Sequence, residues 1–486
     1  MTNEAIAAAA RAVIATTASA WALSGKKRGL SPFLLALLTA CSASLPPIDA
    51  EKLPPTPEVF REGASFTVAA PAEAQPRGEW WKAFSDPVLD ELIERAERGN
   101  SSIRVAAARL TQARAFVRAT DAARAPQVDV GASAARAGGI VNGVGGPARS
   151  LFTAGADLSY EADLFGRLRQ ASDAARLDAD ASQGLLQSTW LLVQAEVAQT
   201  YIALRALDAE RALVRSTVAA YRETLSLTER RYRAGDVAEL DVARARTEVA
   251  ATESDALALD RRRAELEHAL AVLVGEPASN FALADREWTT ALPAIPAGVP
   301  SIVLTRRPDV SAAQSSLVAA QTRVGVAKAA WFPSIALTAS AGYASPDLSD
   351  LFKWSSRAWG LGLLGALPVF DGGRRKAGIE AAGADFEIAV ARYREQVLVA
   401  FRDVEDQLAA LRLLADQAEA QQRAVASASR STALSEVRYR NGYVSQLDLL
   451  DAQRSELRNR REALQVRSAQ YLSTVALVRA LGGGWN

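Results

Sequence analysis

Two periodicities alternate along this chain. In PSIALTASAGY, the apolar Ile335, Leu337, Ala339 and Tyr343 alternate with Ser334, Thr338, Ser340 and Gly342; in LFTAGADLSYEAD, Phe152, Leu158 and Tyr160 alternate with Thr153, Asp157, Ser159 and Glu161. One face is apolar and the other polar, which predicts strands, and segments of roughly 10 residues with this alternation suit a membrane barrel. WSSRAWGLGLLGALPVF continues the pattern, with Trp359, Leu361, Leu363, Leu367 and Val369 on one face and Trp354 and Trp359 placed for an interfacial aromatic girdle. After Gly166 and Gly373 the period lengthens. Val397, Phe401, Val404, Leu408 and Leu411 step by four and three, a coiled-coil seam, and Trp190, Gln194, Val197, Tyr201 and Leu204 hold the same positions upstream. No proline interrupts Arg167 to Tyr232, so a helix of about 100 Å is predicted, turned at Gly235 and returning over Asp236 to Val274. A helix from Pro87 to Ala125 is expected to lead into the first strand pair.

The two sets of elements are one unit written twice. Pro126 and Pro333, Gly166 and Gly373, Tyr232 and Tyr439, and Asp241 and Asp448 are each separated by 207 residues. Each copy supplies two strands, and four strands cannot close a barrel. An open sheet in lipid leaves backbone groups unpaired at several kcal/mol each, so chains must associate. Two chains give 8 strands with a filled interior; three give 12 and room for a lumen, which favours the trimer. The expected fold is an α+β membrane protein, a trimeric 12-stranded β-barrel with four strands per chain, continued by a long periplasmic α-helical coiled-coil barrel.

Charge and cysteine usage add a compartment. With Lys plus Arg at 56 and Asp plus Glu at 55, nothing points to nucleic acid. Lys26, Lys27 and Arg28 precede an apolar run from Leu30 to Leu38, too short to span a bilayer as a helix, and the run ends in Leu38-Thr39-Ala40-Cys41. The pattern predicts an export signal over 1–40, whose removal takes away four basic residues and one acidic one. The formal charge then falls from +1 to −2, and Cys41, the only cysteine of the chain, becomes the first residue. The Ala-rich stretch 1–25 is read as a long leader or a start placed too early.

L-T-A-C resembles a bacterial lipobox, and Ser42 in place of an aspartate implies outer-membrane delivery. The strings FPSI (Phe332 to Ile335), PVFDGGRR (Pro368 to Arg375) and RYRNGYVSQLDLLDAQ (Arg438 to Gln453), in order over the doubled plan, resemble the TolC-type outer membrane factor family, in its NodT-type lipoprotein branch. The resemblance implies the outer-membrane channel of a tripartite pump, conducting drugs and small toxic compounds, with a periplasmic adaptor and a proton-driven inner-membrane transporter of the RND type as partners. It implies no cofactor and no catalysis. It divides the chain into a signal (1–40), a lipid anchor at Cys41 with an equatorial segment (41–86), a first repeat (87–275), an equatorial linker (276–306) and a second repeat with a C-terminal equatorial segment (307–486).

The resemblance also assigns the turns. Gly235, Val237 and Leu240, with Gly442, Ser445 and Leu447, belong to the grooves where the adaptor docks. Asp448 and Asp451, three apart on one helix face, form carboxylate rings at the periplasmic gate; Tyr439 and Asp241 match positions hydrogen-bonded between hairpins in the closed state. Copy one has Arg244 opposite Asp451, and a basic lock residue of some members is Val444 here. A protein-exporting type I channel and a poreless envelope coiled coil are the competing readings. GLGLLG (Gly360 to Gly365) matches a dinucleotide string without the helix that the motif requires, and the single histidine, His268, sits mid-helix with no second ligand.

Overall fold

Proline and glycine set the boundaries of the elements. The computed structural model describes residues 45–49, 53–57, 59–62, 78–141, 144–293 and 306–483; Cys41 and the predicted signal lie outside them. Helix α1 (Pro87–Gly99) starts on Asp86, whose side chain accepts from the Val88 amide, with Pro87 in the first turn where no N–H is needed. Next come α2 (Ser101–Ala122), β1 (Gln127–Val141), β2 (Val144–Glu161), α3 (Arg167–Arg233) and α4 (Glu239–Val274). The second copy contributes α5 (Pro308–Ala329), β3 (Ser334–Ser345), β4 (Arg357–Ala366), α6 (Arg374–Arg440) and α7 (Gln446–Ala480). Helices α3 and α6 are each 67 residues long, about 100 Å, and both of their ends are offset by 207. Helices α2 and α5, 22 residues each, obey the same offset.

Three details depart from the sequence expectation. The helix expected over Pro87 to Ala125 is two helices, because Asn100 adopts an extended conformation and accepts on Oδ1 from the Ser102 and Ile103 amides; its Nδ2 donates to the Leu273 carbonyl. An asparagine cap outcompetes one more helical residue. The return helix of copy one begins at Glu239 rather than Asp236, since the turn at Gly235 occupies the intervening residues. Strand β4 ends at Ala366, so Leu367 and Val369 lie beyond it.

The strands form one antiparallel sheet in the order β1-β2-β3-β4. Its middle pair joins the copies, from Phe152 opposite Ser345 to Glu161 opposite Ala336, so β1 and β4 are free edges. Trp359, Leu361 and Leu363 of β4 are exposed. No helix among the described residues is long and apolar enough to cross a membrane. At the sheet's exit the chain enters each long helix through a glycine with positive φ, Gly166 or Gly373. An aspartate caps each first turn: Asp163 accepts from the Leu168 and Arg169 amides, and Asp371 from those of Gly373 and Arg375. These contacts account for the DGGRR string.

The main core sits at mid-height, where Val197, Tyr201 and Leu204 of α3 meet Val404 and Leu408 of α6 and Val475 of α7, walled by Trp80, Trp81, Phe84 and Trp288. Segment 281–290 is tied across it. Asp208, 3% exposed, accepts from Arg205, Arg211 and Arg263 at 2.8, 3.1 and 2.8 Å. Arg205 and Arg263 also donate to the Ala284 and Leu283 carbonyls. The Tyr471 hydroxyl donates to the Thr290 carbonyl, while Asp86 accepts from Tyr201 and Thr290. Burial, opposed in part by Arg205, pushes the Tyr201 phenol up to about 12.

Candidate gate and docking site at the hairpin tips

Each long helix ends far from the sheet in the same backbone device. The Gly235 amide donates to the Tyr232 carbonyl and that of Asp236 to Arg231; the Gly442 amide donates to Tyr439 and that of Tyr443 to Arg438. This double bond pattern needs a left-handed residue, and Gly235 (φ 83°) and Gly442 (φ 76°) supply it without the steric cost of a side chain. Both glycines are exposed, as are Leu240 and Leu447, while Val237 and Val444 are half-buried.

The return helices start differently. In copy two, Ser445 is the cap: its Oγ accepts from the Asp448 amide at 3.2 Å, and Asp448 Oδ2 accepts from the Ser445 amide at 3.0 Å and its hydroxyl at 2.6 Å. The Ser445 hydroxyl and backbone N–H hold the Asp448 carboxyl below the usual carboxylate range. Asp448 thus faces back into the turn, and Asp451, one turn on, is exposed. In copy one the cap position is Ala238 with no side-chain bond, and Asp241 pairs loosely with Arg244 at 3.8 Å.

Between the hairpins lies a buried polar knot. Tyr439, 2% exposed, shares a 3.1 Å hydrogen bond with Thr228 Oγ1, which in turn donates to the Thr224 carbonyl and accepts weakly from Gln446 Nε2 at 3.4 Å. The Arg231 guanidinium lies 5.1 Å from the Tyr439 ring centre. Within the chain, then, Tyr439 meets Thr228 rather than Asp241. Farther from the tip, Arg454 pairs with Glu248, and Arg461 with Glu210 and Asp255, so ion pairs lace one hairpin to the other.

Sequence reading missed Thr228, 211 residues from Tyr439, and Gln446, 218 residues from Thr228; these meet only when the two hairpins pack. The Ser445 cap had a legible signal, a serine followed three residues later by an acid. His268 is an exposed residue of α4, and GLGLLG lies within β4.

An amphipathic four-stranded sheet with free edges, mounted on two 100 Å helices that end in polar, glycine-turned tips, defines an exit duct of the outer membrane. Residues 92–276 and 299–483 match the family described as "Outer membrane efflux protein", and the chain belongs to it. It is 33% identical over 461 residues to "Cation efflux system protein CusC" of Escherichia coli, covering 94% of this chain and 98% of that one. It is 34% identical over 475 residues to "Toluene efflux pump outer membrane protein TtgI" of Pseudomonas putida, covering 95% and 99%. The structure of the outer-membrane channel OprN superposes with a TM-score of 0.85 at 30% identity, over 91% of this chain and 99% of that chain. The protein is accordingly a non-enzymatic channel of the bacterial outer membrane that extends into the periplasm and serves efflux.

Proposed function

We propose that three copies close a 12-stranded barrel, lipid-anchored through Cys41, and pass drugs and other small toxic compounds outward from an RND-type transporter through a periplasmic adaptor. The observation that carries this is the open sheet: β1 and β4 each leave a row of backbone groups without a partner at the level of the membrane, and a ring of chains pairs β4 of one with β1 of the next. The helices below it are about 100 Å long against a ~30 Å hydrocarbon core, so the tips stand deep in the periplasm. There Gly235, Val237 and Leu240, with Gly442, Ser445 and Leu447, form the docking grooves for the adaptor. Rings of Asp448 and Asp451 narrow the entrance, with Tyr439 and Asp241 governing how far the hairpins separate. Segments 41–86 and 276–306 and the C-terminus build the equatorial belt between the repeats.

The test is co-expression with an adaptor and RND transporter in cells lacking their own exit channels. Restored resistance to small toxic compounds is the expected result. Export of a secreted protein with no gain in resistance would favour the type I secretion reading instead.

A further inference from the structure

The register of the sheet fixes which residues share its apolar face. Directly opposed residues point the same way, so Val128, Leu158, Ala339 and Leu361 form one row, and Tyr160, Leu337 and Leu363 form the next row toward the helices. Asp129, Asp157 and Ser340, with Gln127, Ser159 and Thr338, occupy the opposite face. In an outer-membrane barrel the apolar face meets lipid and the polar face lines the duct. Tyr160 is the last residue of the apolar face in β2 before the chain enters α3, so it marks the periplasmic limit of the lipid-facing band.

Tyr160 also walls a cavity of about 750 Å³ between the end of α2 and the start of α3, together with Asp121, Arg124, Leu164, Arg169 and Arg176. Its carboxylate is already committed: Asp121 accepts from Arg176 Nη2 at 2.9 and 3.1 Å and from the Ser172 hydroxyl. Arg124 reaches Asp121 only at 3.9 Å, and Arg169 has no ion-pair partner among the described residues. Both side chains are exposed, and Leu164 adds an apolar wall that is 53% exposed. Two guanidinium groups therefore stand at the rim of the lipid-facing band without a carboxylate of their own. Copy two lacks this arrangement. The positions 207 residues on from Asp121, Arg124, Arg169 and Arg176 hold Lys328, Trp331, Lys376 and Gly383. Trp331 is half exposed there, with the Arg375 guanidinium 4.5 Å from its ring centre, an aromatic suited to the same interfacial depth.

We propose that this cavity is a headgroup site for one glycerophospholipid of the periplasmic leaflet per chain. The phosphate sits between Arg124 and Arg169, Tyr160 and Leu164 flank the glycerol, and the acyl chains run up the apolar face past Leu158 and Leu337. A guanidinium offers a phosphate two parallel N–H donors, and a pocket of uncommitted basic residues at the edge of the hydrocarbon lies at the depth of the lipid phosphates. Arg176 takes no part in holding the lipid; its pair with Asp121 ties α2 to α3 and shapes the wall. The site rests on the apolar face meeting lipid, as the barrel closure proposed above requires.

Full-length protein, extracted from membranes into a mild detergent, would be titrated with dioleoylphosphatidylglycerol and with dioleoylglycerol, which has the same chains and no phosphate, and read by native mass spectrometry. The expected result is one phosphatidylglycerol per chain, bound about tenfold more weakly by Arg124→Gln/Arg169→Gln, with dioleoylglycerol binding the same in both proteins. Arg124→Lys/Arg169→Lys should recover most of the affinity, which separates lost charge from misfolding. Lys376→Gln, the equivalent change in copy two, should bind like the wild type. Equal phosphatidylglycerol affinity in the wild type and the double glutamine variant would overturn the site. So would full displacement of the lipid by excess inorganic phosphate, which would make the cavity a pocket for a free anion. The same spectra count the subunits, so a monomeric mass that keeps the lipid difference would overturn the ring closure and leave the headgroup site standing.

Discussion

The two hairpin tips share a backbone and differ in what the side chains do with it. Both turn on a glycine in the left-handed region with the same pair of backbone hydrogen bonds. Only the second has a serine cap reinforced by an acid, and only the second contributes a tyrosine buried in this chain. Duplication preserved the geometry of the reversal, and divergence fell on the residues that decide how firmly a tip is held and against which neighbour. The mid-height belt diverged in the same way. Arg205 of copy one is sealed against Asp208, whereas its equivalent Arg412 makes a solvent-exposed pair with Glu62.

The belt supplies the largest expected effect. Asp208→Ala leaves three guanidinium groups without their shared carboxylate and should destabilise the protein by about 3–5 kcal/mol, read as a lowered midpoint of chemical unfolding in detergent. Glu62→Gln, on the exposed counterpart, should cost less than about 1 kcal/mol in the same assay. Equal losses would mean that burial does not separate the two copies.

Smaller effects distinguish the tips. Tyr439→Phe removes the hydrogen bond to Thr228 and should cost about 1 kcal/mol, seen as faster amide exchange around Thr228 and Gln446. Ser445→Ala should loosen the start of α7 by about 1 kcal/mol, and Ala238→Ser, which places a cap three residues before Asp241, should firm α4 by a similar amount; amide exchange at the two tips reads both. The smallest effect is a pH dependence. The folded-state carboxyl of Asp448 lies below its unfolded value of about 3.9, so its contribution is complete above that value and disappears as pH falls through the depressed one. Exchange at the second tip should therefore gain, below about pH 4, an acid-sensitive component that Ser445→Ala reduces.

Most of the architecture was legible because it rests on local signals. The change from alternation to a four-three step, the proline before each strand pair and the glycine after it located the long helices to within a residue. The 207 offset exposed the duplication before any contact was known. The break at Asn100 escaped because Gly99 and Asn100 sit inside an otherwise helical pattern, and it is the Leu273 carbonyl, 173 residues away, that holds the asparagine side chain in place. Asp208 reads as an ordinary helix acid until three arginines from two helices converge on it. Of the tip residues, Gly235 and Gly442 announced their role. Asp448 was legible as an acid sharing a helix face with Asp451, and its bond to Ser445 shows that it closes the cap, so removing it alters the turn as well as the charge.

That dual role decides which variant tests the gate most directly. Asp451 is exposed and lies outside the capping box, so Asp451→Ala removes one carboxylate per chain and leaves the turn intact. Single-channel conductance of the purified, lipidated protein in planar bilayers is the measurement to make. A small, cation-selective conductance is expected in the wild type, with Asp451→Ala reducing cation selectivity and Asp448→Ala/Asp451→Ala also raising the conductance. Channels indistinguishable from wild type in both variants would move the gate away from the second tip, and the absence of any channel would contradict the pore itself.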